Sequence, residues 1–152
     1  MDKETYTQFD SSNINQLLSF IAEGLIVFNH DGYITTLNPH ASLLLDYTVD
    51  ELIGKKFDDI IPIYLNDDLV QNENCISATV SEGRIFSVVD NTTLYFTARQ
   101  GKKFPVFAAA KPMQFNRGDE IVGGGVLIFR DISTEKELEK YRESTALTLS
   151  EL

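Results

Sequence analysis

The chain has 152 residues, of which 23 are acidic and 13 basic, so its formal net charge is −10. A chain of this length forms one globular domain that buries about 70% of its unfolded surface. We expect no nucleic acid partner and no direct membrane insertion, because the negative field repels phosphates and anionic lipids, and no apolar run approaches the ~18 residues of a membrane span.

The chain begins with a polar stretch and continues with an amphipathic one. Residues 1–10 are polar and are predicted to be a disordered tail. Residues 11–23 have the apolar spacing of one helix face, with serines that can cap the start of a helix. That face consists of Ile14, Leu17, Leu18 and Ile21. Such a flanking helix needs an apolar surface, which either its own domain or a dimer partner can supply.

Two short β-rich runs follow, Gly24–Asn29 and Tyr33–Asn38. Between them lies Asp31-Gly32, a strong hairpin signal, because glycine accepts the positive φ of a tight turn without strain. The sequence therefore predicts an antiparallel hairpin here.

Several short helices are predicted after the hairpin. Asn38-Pro39 favours a helix start, because Asn accepts free backbone N–H groups and proline already has a helical φ. Residues 48–51 have the spacing of a capping box, which predicts a second helix. Residues 75–89 have apolar residues at helical spacing, but Gly83 interrupts the pattern.

The second half of the chain favours strands. Thr92–Arg99 and Lys103–Phe115 are predicted as two long strands, and Val126–Phe129 is an apolar run typical of a strand that is covered on both faces. The order of helix, two strands, short helices, three strands and helix fits a five-stranded antiparallel sheet. With the helices gathered on one face, the fold class is α+β.

A helix is predicted over residues 133–152, immediately after the last strand. Thr134 and Glu137 have the spacing of a capping box. Further along the helix, residues at alternating spacings of three and four favour a parallel coiled coil. They are Leu138, Tyr141, Thr145, Thr148 and Leu152. Leu138 and Tyr141, together with the apolar face of residues 11–23, are therefore candidates for a homodimer face.

Five motifs resemble those of PAS domains and occur along the chain in the order that the family shows, over roughly residues 12–134. The first hairpin and the Asn38-Pro39 helix start are similar to those of the family, as is Gly101 before the fourth strand. Residues 46–55 resemble the family's Gly-Tyr-Ser-x-x-Glu-Leu-Ile-Gly-Lys, with Asp46 in place of the first glycine. Residues 129–133 resemble the Asp-Ile-Thr motif that closes the fifth strand, with serine in place of threonine.

The resemblance implies a sensory or dimerisation module with a PAS core over residues 24–132. In the family the motif Asp is linked to coupling between the core and the exit helix, which implies this role for Asp131, with Ser133 and Thr134 beside it. The helix of residues 133–152 would then be a signalling helix that leads to an output domain, a sensor histidine kinase. A carboxylate before a helix can also act as a plain cap, and this reading stays open.

We expect no LOV-type flavin, because the residues that the resemblance would require for it are absent. The position that resembles the reactive cysteine of flavin-binding LOV domains is Phe57, which cannot form a thiol adduct. Phe96 and Ala108 occupy positions that resemble the polar flavin contacts, and neither side chain forms hydrogen bonds. Cys75 lies about twenty residues too late in the chain to match the reactive cysteine. We therefore expect it to be a small apolar side chain.

Haem and metal sites also lack the expected ligands. The two histidines, His30 and His40, lie in a hairpin turn and in the first helix after it, not where haem-binding PAS domains place their ligand. Two histidines and one cysteine argue against a transition-metal site. The single cysteine excludes an internal disulfide, and residues 1–10 are too polar for a signal peptide, so we expect a cytoplasmic protein.

Small residues in the fourth strand leave two alternatives for the interior. If they face the helices, they leave room for a small apolar ligand among larger residues. The tight packing of native interiors favours the alternative, in which large residues of the helices fill the gap or the small residues let a helix pack closely on the outer face of the sheet. The pocket candidates are Phe57, Leu94, Phe96, Val106, Ala108, Ala110, Leu127 and Phe129.

Catalysis finds no support, because the sequence has no nucleophile elbow, no phosphate-binding glycine loop and no Cys-His or Ser-His-Asp arrangement. Together with this expectation, the resemblance to PAS domains implies a cytoplasmic, non-enzymatic sensory module that relays a change in its core or ligand. A ligand-free module that holds two chains together is the alternative.

Overall fold

The computed structural model describes residues 23–71, 74–87 and 91–150, with side chains described up to Glu143 in the last helix. The strands are β1 (Gly24–Asn29), β2 (Ile34–Leu37), β3 (Ile63–Leu65), β4 (Asp68–Leu69), β5 (Phe86–Ser87), β6 (Leu94–Thr97), β7 (Lys103–Arg117) and β8 (Glu120–Asp131). The helices are α1 (Pro39–Leu45), α2 (Val49–Leu52), α3 (Phe57–Ile60), α4 (Ile76–Ser81) and α5 (Ser133–Ser150).

One antiparallel sheet carries the fold. Its main strands lie in the order β2-β1-β8-β7-β6, and the short β3 and β4 extend it at one side. β8 pairs with β1 along one edge and with β7 along the other, so the last strand lies in the middle of the sheet. The predicted α+β class and the five principal strands are confirmed, with the short strands as additions.

The first two helices begin where the sequence predicted them. Asn38 caps α1, and its buried side chain accepts a hydrogen bond from the N–H of Ala41 at 2.9 Å. The Asn38 amide also donates to the carbonyl of Glu23 at 2.9 Å. Thr48 and Glu51 form the predicted capping box at α2. Asn38 therefore joins α1, the first of the helices that roof the sheet, to the start of β1.

The helix predicted over residues 75–89 is much shorter in the structure. It covers only Ile76–Ser81, and Gly83 with a φ of +71° turns the chain toward β5. Residue 86 then pairs with Ala110 of β7. The prediction was wrong beyond Ser81, because a sheet edge supplies hydrogen bonds for Phe86–Ser87 that sequence periodicity does not reveal.

The capping box predicted at Thr134 and Glu137 is also wrong. α5 begins one residue earlier, at Ser133, so Thr134 lies inside the helix and cannot cap it. Asp131 takes the role instead, since its carboxylate accepts a hydrogen bond from the N–H of Ser133 at 2.8 Å. An Asp near a helix start is well placed for this, because it also opposes the positive end of the helix dipole.

Three predictions fall where the structure gives no description. The disordered tail (residues 1–10) and the apolar face of residues 11–23 lie outside the described residues, apart from Glu23. The same holds for the side chains at the end of the predicted coiled-coil stripe. Within the described part of the chain, none of the helices is both long and apolar enough to cross a membrane.

Candidate functional site

The interior between sheet and helices is an aromatic cluster. Phe96 lies at its centre, with ring centroids 5.1 Å from Phe57 and 5.1 Å from Phe129, both in edge-to-face geometry. Phe104 adds a third edge-to-face contact at 6.4 Å. Such aromatic pairs add stability beyond the area that they bury. Rings from α3, β6, β7 and β8 therefore meet at one point under the helices.

The structure brings all eight pocket candidates together in this interior. None is more than 2% exposed, so each faces the helices or the core. They are Phe57, Leu94, Phe96, Val106, Ala108, Ala110, Leu127 and Phe129. The small residues of β7 thus face the helices, which is the arrangement that a ligand cavity would require. The rings of the aromatic cluster occupy the space beside them.

A helix also approaches the sheet closely at a glycine. A Cβ atom added at Gly125 in β8 would lie 2.5 Å from Cγ1 of Val80 in α4, and 3.1 Å from the carbonyl oxygen of Lys111. A contact under 3 Å is a clash, so only glycine permits this approach. Gly125 therefore seats α4 against the sheet.

The candidate cofactor ligands lie apart. His30 is in the β1–β2 turn, with its Nε2 3.3 Å from the carboxylate of Asp31, and both side chains are exposed. His40 lies in the first turn of α1. Among the described residues, His, Cys, Asp and Glu side chains form no group of three or more that could hold a metal ion.

Cys75 lies at the start of α4, and its side chain is partly buried. Burial raises the pKa of the Cys75 thiol, and the carboxylates of Asp58 and Asp59 raise it further. A raised pKa keeps the sulfur protonated at neutral pH, where it is a poor nucleophile. Its Sγ lies 3.7 Å from the carbonyl oxygen of Val70, in keeping with a weak thiol donor.

The junction between β8 and α5 is short and bonded on several sides. Only Ile132 separates strand from helix, and its N–H donates to the carbonyl of Pro105 in β7 at 3.0 Å. The carboxylate of Asp131 accepts hydrogen bonds from the N–H and the hydroxyl of Ser133. Because each bond joins a strand residue to the linker or to the first helical turn, the two elements are held in one arrangement.

A second link across the junction was not predicted from the sequence. Arg130 of β8 forms an ion pair with Glu135 of α5, with Nη1 and Oε1 2.8 Å apart. The guanidinium of Arg130 also lies over the Phe107 ring of β7, 5.5 Å from its centroid. A spacing of five residues is not a helical contact, so the pair depends on how the chain turns after Asp131. The sequence signal for this ion pair was the presence of opposite charges on either side of the Asp131 motif, at Arg130 and Glu135.

The three predicted coupling residues lie together at this junction. Asp131 ends β8, Ser133 begins α5 and Thr134 is exposed in its first turn. Of the dimer candidates with described side chains, Leu138 is 52% exposed and Tyr141 is 72% exposed. Residues 137–143 are exposed on every side of the helix, so α5 projects away from the core after its first turn.

Comparisons with known proteins agree with this architecture. The sequence matches the family model described as PAS domain over residues 22–134, more than half of the chain. The fold is similar to the PAS domain of nitrogen regulation protein NR(II) from Vibrio parahaemolyticus, with a TM-score of 0.58 and 13% identity, covering 78% of this chain and 97% of that one.

Two further structures are similar to this chain. A domain of a sensory box sensor histidine kinase/response regulator from Geobacter sulfurreducens has a TM-score of 0.55 and 17% identity, covering 84% of this chain and 96% of that one. The PAS domain of an HTR-like protein from Haloarcula marismortui has a TM-score of 0.56 and 20% identity, covering 86% and 98%. No curated protein matches the chain in sequence. On the family match, the central last strand and the roofed antiparallel sheet, the chain belongs to the PAS domain family.

Proposed function

We propose that this PAS sensory domain relays a change in its core through β8 and α5 to an output domain on the same chain. The observation that carries the proposal is the junction, where one residue separates a central strand from a projecting helix. A shift of β8 cannot be absorbed by so short a connection, so it moves or tilts α5. Other conformational switches likewise work through small displacements of packed helices and strands.

The core can act on β8 through the aromatic cluster. Phe129 is fully buried, touches Phe96 and lies two residues before Asp131. A ligand or a repacking that displaces these rings therefore acts on the strand next to its bonded end. Interiors are close-packed, so such a displacement is passed on rather than taken up locally.

The exposed α5 suits a second copy of the chain. Leu138 and Tyr141 lie one helical turn apart on a helix that is exposed over residues 137–143. Apolar side chains at this spacing are those that a parallel coiled coil covers. We propose a cytoplasmic homodimer without catalytic activity of its own, whose paired α5 helices lead to a histidine kinase.

The alternative is a ligand-free module that only holds two chains together. The observation that favours it is the filled interior, where Phe57, Phe96 and Phe129 occupy the space beside the small residues of β7. Native mass spectrometry separates the alternatives. A small molecule retained by the native chain supports ligand sensing, whereas a bare dimer supports assembly without a ligand.

The relay is tested by joining α5 to a histidine kinase output domain and replacing Asp131 by alanine. The substitution removes the hydrogen bonds to Ser133, and we expect altered regulation at unchanged protein abundance. Asp131→Asn, which keeps an acceptor oxygen, should retain most of the regulation. Asp119→Ala in the β7–β8 turn is a control that removes one exposed acid far from the junction. Native regulation in Asp131→Ala would refute the coupling role.

A further inference from the structure

Helix α4 is held in place by residues outside its own sequence. Cys75 precedes its first residue, and the Cys75 side chain forms no capping hydrogen bond. With six residues, α4 is also far shorter than the ~12–15 residues at which an isolated helix becomes marginally stable in water. The conformation of α4 therefore depends on its tertiary contacts.

Asp58 of α3 supplies the missing cap from a distant part of the chain. Its carboxylate accepts hydrogen bonds from the N–H of Ile76 at 3.1 Å and from the N–H of Ser77 at 2.7 Å. It also accepts a hydrogen bond from the hydroxyl of Ser77, whose side chain is buried. Hydrogen bonds to a carboxylate are stronger than those between neutral groups, so these three bonds tie the first turn of α4 to α3.

Two glycines let other elements pack closely on α4. Near the end of the helix, Val80 lies on Gly125 of β8, where an added Cβ would be 2.5 Å from its Cγ1. At the first turn, a Cβ added at Gly32 of the β1–β2 turn would be 2.6 Å from the carbonyl oxygen of Ser77. The helix is therefore packed against the sheet and the β1–β2 turn, while Asp58 holds its start by hydrogen bonds.

We propose that α4 is a detachable clamp on β8 and that Asp58 is the latch that keeps this clamp closed. When the bonds to Asp58 break, the short helix without a cap of its own leaves the sheet as one unit, while the rest of the domain stays folded. Weakly held segments open in this way at a lower free energy than global unfolding. Asp58 is a positioning residue, because it acts on β8 only through α4.

The clamp acts on the strand that leads to α5. Gly125 and Asp131 lie in the same strand, and Val80 covers Gly125 on the helix side of the sheet. Opening of α4 therefore releases β8 at a point distinct from the aromatic cluster, whose ring in this strand is Phe129. The clamp is a property of the domain itself, and only its effect on α5 rests on the proposed relay.

The native thiol reports on the clamp in the full chain. Cys75 is the single cysteine, lies directly before α4 and is partly buried, so opening of α4 exposes it to a thiol reagent. The labelling rate is measured at several low urea concentrations. Local opening exposes little surface and depends weakly on urea, whereas global unfolding depends on it steeply.

Three variants separate the latch from the charge of Asp58. Asp58→Ala removes the latch bonds, and we expect Cys75 to react about tenfold faster, within the range that loss of a helix cap produces. Asp58→Asn removes the charge but keeps an acceptor oxygen, so its rate should rise much less. Asp59→Ala is the matched control, since both carboxylates raise the pKa of the Cys75 thiol. In the described part of the chain, only Asp58 of the two bonds to α4.

Val80→Ala tests whether α4 opens as a unit. It loosens the end of α4 on Gly125 and leaves the charges around the thiol unchanged. We expect faster labelling of Cys75 at the opposite end of the helix, together with faster amide exchange at Gly125, while exchange in β6 stays unchanged.

Three results would overturn the proposal. The first is equal labelling in Asp58→Ala and Asp59→Ala, because the bonds to Asp58 would then hold nothing. The second is labelling of Asp58→Ala that rises steeply with urea, because the whole domain would then unfold. The third is an unchanged rate at Cys75 in Val80→Ala, because the two ends of α4 would then open separately. Faster, urea-independent labelling supports the clamp whatever an attached kinase does, so a failure of the relay is recognised separately.

Discussion

Replacement of Gly125 by alanine tests whether small residues in β8 serve close packing or leave spare room. The added Cβ would lie 2.5 Å from Cγ1 of Val80, a buried side chain of α4, and 3.1 Å from the backbone oxygen of Lys111. Neither neighbour is the free end of a flexible side chain. Overpacking of this kind costs about 1–3 kcal/mol of unfolding free energy.

Gly123→Ala is a matched control in the same strand. Its added Cβ would meet only the Cβ of His30 at 3.9 Å, an ordinary van der Waals distance. Neither glycine has a positive φ, so alanine fits the backbone at both positions. We expect Gly123→Ala to be neutral or to stabilise the fold by up to ~1 kcal/mol, because alanine restricts the unfolded chain.

Urea denaturation of the two variants, followed by circular dichroism, measures the difference. A double-mutant cycle with Val80→Ala then isolates the contact, because removal of the valine methyl groups should recover part of the loss at Gly125→Ala. If Gly125→Ala were as stable as Gly123→Ala, the space between α4 and β8 would not be filled. The interpretation that Gly125 serves the close packing of α4 on β8 would then be refuted.

Three other predictions concern the core and the junction. Phe96→Ala should lower the unfolding free energy by about 3–5 kcal/mol, measured by urea denaturation, because it empties the centre of the aromatic cluster. Asp131→Ala should accelerate hydrogen exchange in the first turn of α5 about fivefold, since a lost cap costs about 1 kcal/mol, while the exchange of β8 stays unchanged. A double-mutant cycle of Arg130→Ala and Glu135→Ala should give a coupling of under ~1 kcal/mol that falls with added salt, because both side chains are about half exposed.

Each of these has a result that would contradict it. A loss below about 1 kcal/mol in Phe96→Ala would mean that the interior collapses around the missing ring. Equal acceleration of exchange throughout β8 and α5 in Asp131→Ala would indicate global destabilisation rather than a lost cap. A coupling between Arg130 and Glu135 that is insensitive to salt would mean that the pair acts through packing rather than charge.

Local sequence signals predicted those elements whose partners are close in the chain. The Asp31-Gly32 turn and the Asn38-Pro39 helix start each place donor and acceptor within a few residues, so the backbone conformation follows from the side chains present. The strand–helix junction was recognisable for the same reason, since the apolar run and the polar helix adjoin each other. The expectation that this run is covered on both faces was wrong, because Ile128 is 41% exposed while Leu127 and Phe129 are buried.

Contacts between distant residues decided what the sequence left open. Asp58, eighteen and nineteen residues away, fixes the start of α4 by accepting the N–H groups of Ile76 and Ser77. The helix ends early because a free edge of β7 takes up Phe86–Ser87. Whether the small residues of β7 would face a cavity or a filled core depended on how the rings on α3, β6 and β8 pack. Periodicity assigns a side chain to a face, but the volume beside it is set by residues from other elements, and only the tertiary structure brings these together.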